Sequence, residues 1–244
     1  MNLEQSLEEL SKLPVNNFSH VLDYFNLDKN DKLGGNCILK SKQVKSLVDQ
    51  CENWYSYIIR TTVGYHHANI LMSLDNTYFF DSCIGQLRPI NLLKLCQGKV
   101  VHRSCFYAQS CIEAEYYDFD SDIFSVNLRL FNQIKWKSLF SMSSVSKGVF
   151  NDYDMDQVRM VLPPKFYFRY YDSLTHDSGM KVVMLDTASF NLQIGLPLTN
   201  AFKDFETADK LDFEMSVGFS IEELLFYMHT AIENYPYLID SLRS

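Results

Sequence analysis

Two apolar runs place the tightest limit on how this chain folds. His67-Ala68-Asn69-Ile70-Leu71-Met72-Ser73-Leu74 and Thr77-Tyr78-Phe79-Phe80-Asp81 flank the pair Asp75-Asn76. Strand-forming runs on either side of such turn residues predict an antiparallel β-hairpin. In a hairpin the start of the first strand lies beside the end of the second. His67 opens the first run and Asp81 closes the second, so the turn carries an imidazole toward a carboxylate. Direct alignment of the two needs a bulge or a longer loop.

The rest of the chain reads as three consecutive parts: 1–52, 53–150 and 151–244. The first is helical. Leu3, Leu7 and Leu10 share one side of a short amphipathic helix, a pattern unlike a secretory signal. Breaks follow at Asp28-Lys29-Asn30-Asp31 and at Gly34-Gly35. Val44, Leu47, Val48 and Cys51 then recur at helical spacing, so a second helix begins at Cys37 and runs to about residue 52. The second part is mainly strands, from Asn53-Trp54-Tyr55 through Asp122-Ile123-Phe124 and beyond. The third has extended pieces around Phe166–Leu174, Met180–Thr187 and Phe190–Leu196. It closes with a helix opened by Ser220 and Glu223 in a capping-box pattern, with Leu224, Leu225, Met228 and Ile232 on one face. Pro236 is expected to end that helix.

The net charge of −8, from 22 basic and 30 acidic side chains, argues against binding a phosphate backbone. Lys135-Trp136-Lys137 is too short and isolated to change that. No apolar run reaches the roughly eighteen residues of a membrane span. The six cysteines, Cys37, Cys51, Cys83, Cys96, Cys105 and Cys111, include no CxxC pair. They are expected to be reduced thiols, which points to the cytoplasm. A metal site is not expected, because the only close histidine pair, His66-His67, opposes its rings on a strand. Asp118, Asp120 and Asp122 lack the glycine turn and closing Glu of a calcium loop. Lys40, Lys42 and Lys45 read as a solvated helix face.

Cys37 stands apart from the other cysteines. It follows Gly34-Gly35-Asn36 and opens a helix. Two glycines permit a tight turn and close backbone approach. The positive end of a helix lowers a thiol's pKa, and its N–H groups can hold an oxyanion. A thiolate nucleophile also needs a base, and the base needs a group to fix its tautomer. Cys37, His67 and Asp81 supply all three. His66 competes for the role of base. It shares a face with Ala68, Ile70, Met72 and Leu74, whereas His67 shares one with Asn69, Leu71 and Ser73. The more polar face favours His67.

These blocks resemble the signature of the arylamine N-acetyltransferases. Gly34-Gly35-Asn36-Cys37, His67-Ala68-Asn69-Ile70-Leu71 and Tyr78-Phe79-Phe80-Asp81-Ser82-Cys83-Ile84-Gly85 occur in the family's order. Pro14–Phe18 and Phe219–Leu224 are similar to flanking family segments. Leu33, Asn36, Leu39, Cys83 and Ile84 depart from the family's residues. The resemblance implies an α+β fold: an N-terminal helical bundle, a central β-barrel and a C-terminal sheet with a closing helix, in a papain-like Cys-His-Asp arrangement. It implies ping-pong transfer of an acyl group from acetyl-CoA or another acyl thioester, through Cys37, to a small amine. Gly35, Asn36, Cys83 and Gly85 would line the oxyanion or substrate region. A metal-free amide synthase, a hydrolase or transglutaminase-like enzyme, or an inactive interaction protein would suit the same residues.

Overall fold

The computed structural model describes residues 2–61, 66–92, 101–104, 111–118, 123–129, 137–141, 145–148, 161–172, 180–196 and 201–243. Along the chain run α1 (Leu3–Lys12), β1 (Val15–Asn16), α2 (Ser19–Tyr24), a 3-10 turn (Asp31–Leu33), α3 (Cys37–Asp49), β2 (Tyr55–Thr61), β3 (His67–Met72), β4 (Thr77–Phe80) and β5 (Ile90–Asn91). Next come β6 (Val101–Ser104), β7 (Cys111–Asp118), β8 (Ile123–Arg129), β9 (Lys137–Ser141) and β10 (Val145–Gly148). The chain ends with β11 (Lys165–Tyr171), β12 (Met180–Asp186), β13 (Leu192–Leu196), β14 (Ala201–Asp204), α4 (Thr207–Val217) and α5 (Ile221–Arg243).

The fold is mixed α+β with antiparallel sheets, divided into two compact units. One holds Met1–Lys12 and Cys37–Phe150, the other Leu13–Asn36 and Asn151–Ser244. The helices of the first 52 residues are therefore shared out and do not form one bundle. α1 packs on α3, while α2 packs on α5. Burial explains the sorting. Leu7 of α1 joins Val44, Val48, Leu71 and Phe80, whereas Val21 and Leu22 of α2 join the aromatic core of the second unit.

In the first unit one sheet has the order β10-β2-β3-β4-β5 and another the order β6-β7-β8-β9. No closed barrel forms among the described residues. Closure requires the last strand to bond to the first, but β10 turns away from β9 to pair with β2, Val145 opposite Thr61. The expected hairpin is β3–β4, with Met72 opposite Thr77 and Asn69 opposite Phe80. Helix α3 lies on β2 and β3. It covers the face that carries Asn69 and Leu71: Asn69 donates from Nδ2 to the Ser41 carbonyl of α3 at 2.9 Å. β3 is buried on both faces from His67 to Leu71.

The second unit has the sheet β1-β11-β12-β13-β14 beneath α2, α4 and α5. Phe18, Phe166, Phe168, Tyr170, Phe213 and Phe219 fill its core. Ser220 caps α5 by accepting the Glu223 N–H at 3.1 Å. Pro236 does not stop this helix, which continues to Arg243. An interior proline costs about 3 kcal/mol. Tyr235 and Leu238, fully buried on either side of it, offset that cost.

Candidate active site

α3 begins at Cys37 itself, so the sulfur sits at the positive end of a 13-residue helix. The segment before it is held by backbone bonds. Gly34 has φ +67°, and a Cβ there would lie 2.0 Å from the Pro14 carbonyl oxygen. Gly35 donates its N–H to Pro14 O at 3.3 Å and accepts from Asn16 N at 3.3 Å. That N–H is thus committed to the backbone, and Gly35 is not available as an oxyanion donor. The glycine pair serves to bring two backbone segments together. Asn36, half-buried, immediately precedes Cys37.

Two imidazoles meet the Cys37 sulfur. His67 Nδ1 lies 3.6 Å from Sγ, and the ring is completely buried. His66 also hydrogen-bonds the thiol. Asp81 binds only one of the two: its Oδ2 lies 2.6 Å from His66 Nε2. The expected chain of contacts from Cys37 through His67 to Asp81 is therefore corrected. Cys37 and His67 do meet, but the carboxylate orients His66. The register gives the reason. Asn69 faces Phe80, so continuing the ladder sets Asp81 across from Ala68. Cross-strand partners share a face and alternate residues do too, which puts Asp81 with His66.

A turn built on Asp81 and Gln86 fixes the carboxylate. Asp81 Oδ1 accepts the N–H groups of Cys83 at 3.0 Å and Ile84 at 3.3 Å. Gln86 Oε1 accepts Asp81 N at 2.9 Å, and its Nε2 donates to the carbonyls of Phe79 (3.1 Å) and Arg88 (2.7 Å). Ser11 Oγ donates to the Gln86 carbonyl at 2.6 Å. Gly85 takes φ +72° in this turn, which glycine adopts without strain. Gln86 and Asp81 are fully buried. Sequence reasoning missed Gln86. Its only signal was a lone polar residue between Ile84 and Leu87, and that pattern is common on surfaces.

Burial of the Cys37 thiol pushes its pKa up. Hydrogen bonds from His66 and His67, and their charge, outweigh burial and bring it down to about 6. Burial also disfavours the His66 imidazolium, but the Asp81 charge and hydrogen bond, with help from Cys37, raise His66 well above its ordinary value. A thiolate–imidazolium pair is the form that results near neutrality. Cys83 goes the other way. Burial first, then the Cys37 charge, push it up to about 12. It is a protonated thiol, with its backbone tied to Asp81.

Lys40, one turn past Cys37, is 1% exposed. The solvated-face reading fails for this lysine, which the fold buries. Lys45 does lie toward solvent, with Asp49 and the Ser56 carbonyl as partners. Cys37, Cys51 and Cys83 form no disulfide. Among the described residues no group of three or more His, Cys, Asp or Glu could hold a metal ion, and no helix is long and apolar enough to cross a membrane. Cys96, Cys105, Asp120, Asp122, Lys135 and Trp136 lie outside the described residues. No protein-family model matches the chain, and no curated protein matches it.

Proposed function

We propose that the chain is a cysteine acyltransferase, in which Cys37 carries an acyl group from a thioester such as acetyl-CoA to a small amine. The observation behind this reading is a sulfur at a helix N-terminus, bonded by two imidazoles, one of them anchored by a buried carboxylate. That set has what acyl transfer needs. The thiolate attacks the carbonyl carbon of the donor and a C–S bond forms. The oxyanion that develops is favoured by the positive end of α3. The donor's C–S bond then breaks, and its thiolate takes a proton from the His66 imidazolium. In the second half an amine attacks the Cys37 thioester, gives a proton to an imidazole and expels the Cys37 thiolate. Asp81 keeps His66 oriented through both halves.

The arrangement is papain-like, with a nucleophile on a helix and a histidine beside a strand. Within this set His66, and not the expected His67, is the Asp-anchored imidazole, and His67 is a second ring on the same sulfur. Chemistry through a reduced thiolate suits a reducing compartment such as the cytoplasm. Intact-mass and peptide analysis after incubation with acetyl-CoA tests the reading. One acetyl group on Cys37, discharged by an added small amine and absent in Cys37→Ala, is the expected result. A Cys37 that alkylates rapidly yet takes no acyl group from any of a panel of thioesters would overturn it.

A further inference from the structure

We infer that the second unit carries a binding site for a free apolar α-amino acid, seated between the helix-side face of β12–β14 and the start of α4, with Asp209 taking the ammonium and Lys181 and Lys203 the carboxylate. The inference is independent of the acyl chemistry at Cys37. All of its residues belong to the unit that holds Asn151–Ser244.

Strand register builds the floor. Val183 and Ile194, both in the aromatic core beneath the helices, lie opposite each other, and Ile194 lies opposite Lys203. Leu196 lies opposite Ala201, and Lys181 opposite Tyr170 of the same core. Alternate residues of a strand share a face, so Lys181, Ile194, Leu196, Ala201 and Lys203 all project to the helix side. α4 packs on β11, with the Phe213 ring against Phe168 and Tyr170. Toward β14 a cavity of about 370 Å³ lies on this face, and its lining includes those five residues and Asp209 from the first turn of α4. The volume falls within the range of small-molecule sites. Leu196 is 37% exposed there, an apolar side chain open to a ligand.

The charged groups at the cavity are of both signs, and each keeps bonding capacity. Lys181 Nζ donates to Asp172 Oδ2 at 2.7 Å. Asp172 is buried and also accepts from Ser216 Oγ at 3.3 Å, so the ammonium is pinned in place. An ammonium has three N–H donors, and two of those on Lys181 have no partner among the described residues. Asp209 uses one oxygen twice: Oδ2 accepts Lys203 Nζ at 2.9 Å and the Glu206 N–H at 3.0 Å. Its Oδ1 has no partner among the described residues. Burial pushes the Asp209 pKa up, but the Glu206 N–H and Lys203 outweigh it and hold the carboxyl below its ordinary value.

These signs select the ligand. The two lysines are matched by Asp172, Asp209 and Glu206, so the site has no cationic excess to hold a bare anion. A bare cation would meet two ammonium groups. A zwitterion supplies a carboxylate to the lysines and an ammonium to Asp209 Oδ1, and it leaves the net charge unchanged. Ile194, Leu196 and Ala201 offer apolar surface to its side chain. Leucine and phenylalanine have this chemistry, whereas glycine lacks the apolar part.

Isothermal titration of the native full chain with L-leucine and L-phenylalanine, each taken to saturation or to its solubility limit, tests the inference. Saturable binding of at least one is expected. N-acetyl-L-leucine lacks the ammonium and L-leucinamide lacks the carboxylate, so each should bind about tenfold more weakly or worse, and glycine should give no measurable heat. Asp209→Asn keeps the shape of the side chain, and Ala201→Trp fills the cavity from an exposed position. Both should weaken binding about tenfold or more. Thermal melting checks that the variants fold; if one does not, the other decides together with Lys203→Met, a change at an exposed side chain. Absence of binding by either amino acid overturns the inference, as does N-acetyl-L-leucine or L-leucinamide binding as tightly as leucine. Binding that survives unchanged in the folded variants belongs elsewhere on the chain and overturns it too. None of these results depends on whether Cys37 accepts an acyl group.

Discussion

In the unit that begins its second segment at Cys37, the residues buried around α3 and β3 include His67, Asn69, Asp81, Gln86 and Lys40. In the other unit the buried set is dominated by Phe18, Phe166, Phe168, Phe213, Phe219, Tyr170 and Tyr235. Burying polar groups is costly unless each is bonded, and the first unit meets that cost with a dense set of hydrogen bonds around Asp81 and Gln86. An aromatic core needs no such matching. The contrast separates a unit whose interior holds bonded polar groups from one whose interior is packed with aromatic rings.

Four experiments bear on that contrast, in falling order of effect. Phe168→Ala should cost about 3–5 kcal/mol of stability by opening a cavity among the rings of Tyr170, Phe213 and Phe219. Chemical denaturation would measure it. The pH midpoint of Cys37 alkylation should stay near 6 in this variant, since the sulfur and both imidazoles belong to the other unit. The double variant His66→Gln/His67→Gln should do the reverse. Burial then acts on the thiol alone, and the midpoint should climb from about 6 to 9 or above. That is about 4 kcal/mol in the thiolate equilibrium. Of the single variants, His66→Gln should move the midpoint further, because it also removes the link to Asp81. Equal shifts, or none, would break the two-imidazole picture.

The third experiment concerns the polar exception in the aromatic unit. His20 is 7% exposed, has no hydrogen-bond partner on either ring nitrogen among the described residues and lies edge-on to Tyr235. Burial lowers its pKa from 6.5 to about 4, against a small opposing pull from Asp23. Between those values the unfolded chain binds a proton that the folded chain refuses. Stability should therefore fall as pH drops from about 6.5 toward 4, by roughly 3 kcal/mol in all, and be unaffected above 6.5. Thermal melts of the native protein and His20→Phe across that range should converge at neutral pH and diverge in acid. The smallest effect belongs to Lys45→Met. It removes the solvent-side pair with Asp49 and should change stability by no more than about 0.5 kcal/mol.

The pairing of Asp81 with His66 is legible in the sequence through strand parity. Face polarity favoured His67, yet parity favoured His66. A two-residue loop at Asp75-Asn76, or the observed four-residue loop Ser73–Asn76, places Asp81 opposite an even-numbered residue of β3 and hence on the His66 side. Polarity was a poor guide because β3 is buried on both faces, with α3 lying on the one that carries Asn69 and Leu71. Gln86 and Lys40 were harder to read, since each is polar in a local pattern that usually faces water. Both are buried in the folded chain, where Gln86 is held by Ser11 of α1 and by the carbonyls of Phe79 and Arg88.

The amino-acid sequence alone determined the hairpin, the helix that starts at Cys37 and the capped helix after Ser220, because each depends on spacing within a dozen or so residues. Tertiary structure alone decided how α1 and α2 were sorted into different units, how Gly35 spent its amide, and how α5 ran through Pro236. In each of these the deciding partner, whether Leu71 for Leu7, Pro14 for Gly35 or the core around Leu238, is brought close by the fold and not by adjacency along the chain.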